Sequence, residues 1–252
     1  MTSQVHPNSF LSNKVKLGSN VRIGPFCNLD GNIEIDDNTE LKSHISISGN
    51  TKIGKKNIFY PFSHIGCDPQ DLKFKGEDSD LIIGDSNIFR ENVTISKGTL
   101  DGGMLTQIGN NNLLMTGVHV AHDCKIGNKN ILVNQVTLGG HVNIMNSVVI
   151  GGLSAIIQFV TIGSHTMIGG MSGIDKNVLP FSLVIGNRAK LRGLNLVGIR
   201  RNNFSKGEIE RIKEVHKCIF SNNFDLDQKI KIDQFFIEYK SKINEKLGHI
   251  QE

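Results

Sequence analysis

An aliphatic residue or Phe recurs every six positions along most of this chain. The series runs Val5, Leu11, Leu17, Ile23, Leu29, Ile35, Leu41, Ile47, Ile53, Phe59 and Ile65, then resumes in phase at Ile83, Phe89 and Ile95. It continues, shifted by one residue, through Ile108, Leu114, Val120, Ile126, Leu132, Leu138, Ile144, Ile150, Ile156, Ile162, Ile168 and Ile174. A period of six is neither the 3.6 of a helix nor the 2 of a simple strand. It predicts a mainly β fold, the left-handed parallel β-helix, in which each hexad gives one short strand and one residue plugs the axis. The residue two before each plug is small or β-branched, which suits a strand. Gly or Asn often follows the plug, as in Val15-Lys16-Leu17-Gly18 and Val21-Arg22-Ile23-Gly24. That placement predicts corners with positive φ at the residue after the plug.

The pattern divides the chain. Residues 1–176 form the solenoid, broken by two ejected loops at 67–80 and 97–104. Residues 177–202 read as an extended connector. Residues 203–252 read as a small C-terminal helical domain. Ser205 with Glu208 makes a capping box. Ile209, Ile212, Val215 and Ile219 form one stripe, and Phe235, Phe236, Tyr239, Ile243 and Leu247 mark a second helix. Such a tail covers an open end of the solenoid and protects its edge.

Composition refines this picture. Twenty-seven glycines and no Trp in 252 residues suit a narrow solenoid. The four cysteines, Cys27, Cys67, Cys124 and Cys218, lack metal spacing. No signal peptide or transmembrane run is evident, so a cytoplasmic protein is expected. Charge is uneven. Residues 188–217 hold nine basic side chains against three acidic ones, in a chain of net charge +4. This implies an acidic partner. Aromatic residues do not interleave with these charges, so nucleic acid is not expected.

Candidate chemistry clusters in Val118-His119-Val120-Ala121-His122-Asp123-Cys124 and Gly139-Gly140-His141. Three hexads make one coil, so residues 18 apart stack at about 4.8 Å, the spacing of paired strands. His122 then lies under Gly140, Gly140 under Gln158, and Asp123 under His141. This column offers a general base, a bare backbone N–H for an oxyanion, and a carboxylate beside the imidazole. Such a set suits acyl transfer by direct attack, with no Cys or Ser nucleophile. Zinc held by His119, His122 and His141 is the rival reading. The spacing here is His-x2-His, whereas the carbonic anhydrases of this fold use His-x4-His, and no metal is expected.

The string His119-Val120-Ala121-His122-Asp123-Cys124-x-Ile126-Gly127-Asn128 resembles the active-site signature of the UDP-N-acetylglucosamine O-acyltransferases. Ile23-Gly24-Pro25-Phe26-Cys27, Gln70-Asp71-Leu72-Lys73 and Arg200-Arg201-x-x-Phe204-Ser205 also match, and the resemblance spans nearly the whole chain. It implies transfer of an (R)-3-hydroxyacyl group from acyl carrier protein, where phosphopantetheine carries it, to the 3-position of UDP-N-acetylglucosamine. That is the first step of lipid A synthesis in Gram-negative bacteria. It also implies a homotrimer with sites between neighbouring solenoids and no other cofactor. His122 then resembles the general base, Asp123 its partner and Gly140 the donor to the thioester carbonyl. Gln70, Asp71, Lys73, His119, His141 and Gln158 fall where the family holds sugar and phosphates. Asn195 and Arg201 match nucleotide contacts, and Gly170 an acyl-chain ruler. Four departures stand out. Ile157 replaces a usual His, Ser96 a His of some members, Arg188 a Pro or His, and Val197 a carboxylate. Acyl length and the choice of hydroxyl or 3-amino acceptor stay open. Another hexapeptide sugar acyltransferase or a non-catalytic binding paralogue are the alternative functions.

Overall fold

The computed structural model describes residues 2–220, 234–243 and 247–251, with the side chains of 218–220 excluded. Ile219 and Cys218 therefore lie outside the described side chains. The expected left-handed parallel β-helix is the observed architecture. Two-residue strands such as Arg22–Ile23 and His119–Val120 pair in parallel with the next coil, and side chains one coil apart stack at a separation of 18 residues. The separation widens to 30 across the first loop and 25 across the second, as Asn57, Asn87 and Asn112 show. The stack continues past both loops, with a register shift at Ile95/Ser96 where they leave.

Two side chains per hexad point inward, not one. In Val21-Arg22-Ile23, both Val21 and Ile23 are buried and Arg22 is exposed. Alternation within each short strand explains this. Where the second inward residue is polar, it bonds up the column. Asn57, Asn87, Asn112 and Asn130 form a buried ladder in which each amide oxygen accepts from the next coil. Val5 differs from the expected plug. It is exposed, in the strand at the end of the 11-stranded sheet.

The corners also differ from expectation. Positive φ falls three residues after the plug, at Asn20, Phe26, Asn38 and His44, and not at the glycine that follows it. Gly24 is needed for another reason: a Cβ there would overlap the Lys42 carbonyl of the next coil. Non-glycine residues in the left-handed region cost about 1 kcal/mol each. Coil-to-coil ring contacts offset part of that cost, tilted at Phe26–His44–Phe62 and stacked at His141–Phe159 and His165–Phe181.

One face is an 11-stranded sheet. The other two faces join into a single sheet, because the strands Asn28–Ile35 and Ser46–Ile53 continue round a corner through Gly31 and Gly49. Both loops and the His122 segment leave from that same corner in later coils.

Segment 177–202 is not an extended connector. Ser182–Ile185 pairs in parallel with Met167–Ile168 and antiparallel with Lys190–Leu194. Helix α1 (Leu196–Arg201) follows. Val184 keeps the hexad's inward position and is fully buried, so the solenoid extends past residue 176. Helix α2 (Lys206–Phe220) starts at the expected capping box: Ser205 N–H and Oγ–H donate to Glu208, whose N–H donates back. Helix α3 (Gln234–Lys240) buries Phe236 and Tyr239. Ile212, Val215 and Phe236 form a core with Phe181 and Ile199. Near the end of the chain, Ile250 enters the solenoid core and the Leu191 N–H donates to the Gln251 carbonyl. The tail thus closes the last coil. Among the described residues, no helix is long and apolar enough to cross a membrane.

Candidate active site

Parallel register places the three expected layers above one another. His119 pairs with Thr137 and Thr137 with Ala155, so Ala121-His122-Asp123, Gly139-Gly140-His141 and Ile157-Gln158-Phe159 stack at one corner. The His141 N–H donates to the His122 carbonyl, and the Phe159 N–H to the Gly140 carbonyl. Asp123 adopts φ 58°, which turns its side chain back beside His122.

The core of the site is a buried dyad. His122 Nδ1 lies 2.7 Å from Asp123 Oδ2. An ionised carboxylate only accepts, so Nδ1 carries the proton and Nε2 is left as the base. The Asp123 carboxylate also accepts from the Thr99 N–H and hydroxyl, and the Asp123 N–H donates to Thr106 Oγ1. Gly140 packs against the imidazole: a Cβ there would stand 2.6 Å from Nε2. The Gly140 N–H makes no hydrogen bond with another described residue. It is available beside the base.

The two loops meet over this dyad. Asp71 Oδ2 stands 3.9 Å from His122 Nε2. Lys73 Nζ reaches Asp101 Oδ2 at 3.9 Å. Asp71, Lys73, Phe74, Lys75, Glu77, Thr99, Leu100 and Asp101 line a cleft of about 300 Å³. The Asp71 carboxylate accepts from the Lys73 N–H, which fixes the turn that presents both side chains. Lys97 anchors the loop from below, 3.1 Å from Asp68 and over the Phe74 ring.

The flanking histidines are less basic than usual. Burial lowers the pKa of His119, whose Nδ1 bonds Thr94 Oγ1. Burial also lowers His141, with Asp123 opposing and His122 reinforcing the shift. His141 stacks on Phe159 and meets the His122 ring edge-on. Both are neutral near pH 7, suited to hydrogen bonding a ligand. The Cys124 thiol, two residues from His122, is pushed up to about 12 by burial. It is therefore no nucleophile at neutral pH.

His122, Asp123 and His141 place ligand-type atoms within 4.8 Å of one another. His119 is not in that group, so the trio differs from the zinc set weighed on sequence. The Asp123 oxygens are already engaged by Thr99 and His122.

Not every expected site residue gathers here. Gln70, next to Asp71, is exposed, and so is Gln158, although it stacks over Gly139. Gly170 lies exposed at the corner between the 11-stranded face and the His119 face. Arg201 is exposed at the end of α1. The Asn195 side chain caps α1 by accepting from the Gly198 N–H, and donates to the His165 carbonyl. Sequence reasoning missed Thr99, Thr106 and Lys97. Their one signal was the phase break between Ile95 and Ile108.

Comparison with known proteins shows the family. The profile described as UDP-N-acetylglucosamine O-acyltransferase, domain 2, matches residues 177–250, and the bacterial transferase hexapeptide profile matches residues 105–140. An acyl-[acyl-carrier-protein]–UDP-N-acetylglucosamine O-acyltransferase of Rickettsia bellii is 56% identical over 229 residues, covering 91% of this chain and 82% of the relative. The chain belongs to the UDP-N-acetylglucosamine O-acyltransferase family. The Rickettsia canadensis relative is also 56% identical, with 87% of its length covered. The crystal structure of the Moraxella catarrhalis enzyme superposes with TM-score 0.91 at 38% identity, covering 98% of this chain and 99% of that one. That of Francisella novicida gives 0.92 at 34%, covering 99% and 94%. Family membership thus extends over both the solenoid and the helical tail.

Proposed function

We propose that this chain moves a 3-hydroxyacyl group from acyl carrier protein to the 3-hydroxyl of UDP-N-acetylglucosamine, by direct attack with His122 as general base. The carrying observation is the buried His122–Asp123 bond, which leaves Nε2 bare beside Gly140 and Asp71. The acceptor hydroxyl gives its proton to Nε2 as its oxygen attacks the thioester carbonyl. Asp123 stabilises the imidazolium that forms. The Gly140 N–H stabilises the oxyanion of the tetrahedral intermediate. Collapse releases the carrier thiolate, which takes the proton back from Nε2. Asp71, Lys73, His119, His141, Gln70 and Gln158 hold the sugar and phosphates. The imidazole and backbone suffice for this route, with no metal or other cofactor.

The acyl donor docks on the basic segment. All nine basic side chains between Arg188 and Lys217 are exposed, which suits an acidic carrier protein. Such a partner places the reaction in the cytoplasm.

A closed homotrimer completes the site. On the 11-stranded face, the outward residues Ile58, Ile88, Leu113, Ile131, Val149, Met167 and Leu183 form one apolar strip. Phe26, Phe62, Leu153 and Met171 are exposed along its edge. A strip of this length marks a contact surface. Packing each strip against the neighbouring prism in a ring of three brings the neighbour's Gly170, Asn195 and Arg201 toward the His122 corner.

The test is mass spectrometry of a reaction containing purified protein, UDP-N-acetylglucosamine and 3-hydroxyacyl carrier proteins of several lengths. An ester of the sugar nucleotide is expected, and its mass gives the chain length. Reaction of only the 3-amino sugar would move the acceptor to an amine. No product with either sugar would reject the reading in favour of a binding paralogue. His122→Ala, folded but inactive, is the matching control; an active Ala variant would reject the base assignment.

A further inference from the structure

Thr99 grips the Asp123 carboxylate with two groups. Its N–H lies 3.0 Å from Oδ1 and 3.2 Å from Oδ2, and its hydroxyl donates to Oδ2 at 2.6 Å. Both residues are buried. The hydroxyl has been diverted to reach this bond. Thr99 stands at the N-cap of the 3-10 turn Leu100–Gly102, in extended conformation. A Thr in that position ordinarily turns its oxygen onto the free N–H groups of the turn. Here it makes no such cap. A local rule is broken in favour of a contact 24 residues away, which is expected where function overrides local stability.

The rest of the loop accommodates the contact. A Cβ at Gly102 would overlap the Asp123 carboxyl group, so the bare Cα is what lets the loop close on it. Gly98, just before Thr99, is fixed by its own backbone: its carbonyl accepts from the Ser79 hydroxyl at 2.6 Å. Ser79 ends the first loop, which carries Asp71 and Lys73. The second loop thus ties the substrate-facing loop to the dyad.

We propose that Thr99 is a positioning residue for acyl transfer: its N–H and hydroxyl fix the Asp123 carboxylate so that one lone pair faces His122 Nδ1. The inference rests on His122 being the general base. Two donors from Thr99 share the carboxylate's negative charge with Nδ1–H. Without the hydroxyl, that charge bears more fully on the imidazolium and stabilises it. His122 then becomes more basic and is protonated, hence inactive, over a wider pH range. The carboxylate also gains freedom to rotate, and the ring loses its fixed tautomer.

The test compares Thr99→Val, which keeps the shape and removes the hydroxyl, with Thr99→Ser, which keeps the hydroxyl and removes a methyl. For Val we expect kcat to fall about tenfold and KM for UDP-N-acetylglucosamine to stay within about twofold. The acid limb of the pH profile, and the NMR titration midpoint of His122, should rise by about half a unit. Ser should keep both near wild type. Thr99→Ala is read in the same way should the Val variant not fold. Wild-type kcat and titration in the Val variant would overturn the proposal, as would a Ser variant impaired as deeply as Val. Activity in His122→Ala would instead overturn the base assignment. The His122 titration, which needs no turnover, would still decide whether Thr99 governs the dyad.

Discussion

Gly140 and His122 occupy one another's space. The imidazole lies over the Gly140 Cα, where a Cβ would stand 2.6 Å from Nε2 and 2.5 Å from Cε1. The glycine therefore serves two ends. It admits the imidazole ring, and it leaves its own N–H without a hydrogen bond among the described residues.

Gly140→Ala should consequently act as a catalytic lesion in an intact fold. The ring must tilt away, and a displacement of this kind costs on the order of a hundredfold in turnover. We expect kcat to fall by about that factor, with both KM values within about threefold and an unchanged circular dichroism spectrum. An Ala variant with wild-type kcat would show that the base tolerates displacement.

Gly170 contrasts with Gly140. A Cβ at Gly170 meets only the Gly152 backbone, its carbonyl oxygen at 3.3 Å and its nitrogen at 3.9 Å, and the residue is exposed. Gly170→Met should therefore fold normally. If this corner measures the acyl chain, the preferred donor should shorten by roughly two to four methylenes, each contributing about 0.8 kcal/mol when buried. Competition between carrier proteins bearing different chains measures the shift. An unaltered preference would remove Gly170 from the acyl pocket.

The hexad phase made the stacked part of this site legible in advance. Because coils stack 18 residues apart, position alone placed His122 beneath Gly140 and Asp123 beneath His141. The same arithmetic fails wherever chain leaves the ladder. Thr99 lies in an ejected loop, where no period says what it faces, so its grip on Asp123 was invisible. His119 bonds Thr94, 25 residues back, across the phase break. Asn195 reads as a ligand contact by resemblance, yet its amide also caps α1. Residues 177–202 looked extended because the hexads fade there, although the inward position at Val184 persists. The glycines after the plugs suggest positive φ, whereas close approach between coils is what requires them.

Lys97 carries the loop that bears Asp71 and Lys73. It is largely buried, pairing with Asp68 at 3.1 Å and lying 5.2 Å from the centre of the Phe74 ring. Lys97→Met keeps the apolar stem and removes the charge. An exposed ion-pair partner and one cation–π contact are worth about 1 kcal/mol together. The loop should open more often, raising KM for the sugar nucleotide about fivefold with kcat little changed. A fall in kcat at constant KM would place Lys97 in the chemistry instead.

His165 should limit stability in acid. Its ring is stacked on Phe181 and flanked edge-on by Phe204 and Phe235, at the joint between solenoid and tail. Nδ1 is buried and has no hydrogen-bond partner among the described residues. Burial, with a smaller effect from Lys129, lowers the pKa to about 4. The unfolded chain titrates this group near 6.5. Between those values the unfolded state binds a proton that the folded state refuses. Its contribution to stability is therefore fully present above about 6.5 and is lost as pH falls toward about 4. Phe already occupies the equivalent left-handed corner at Phe181 and Phe159, so His165→Phe fits the backbone and the stack. The variant should melt higher than wild type, and the gap should widen between pH 7.5 and pH 5. Thermal melts across that range decide it. A gap that is constant with pH would mean that the fold and the unfolded chain bind this proton equally, and that the ring stack does not keep the proton out.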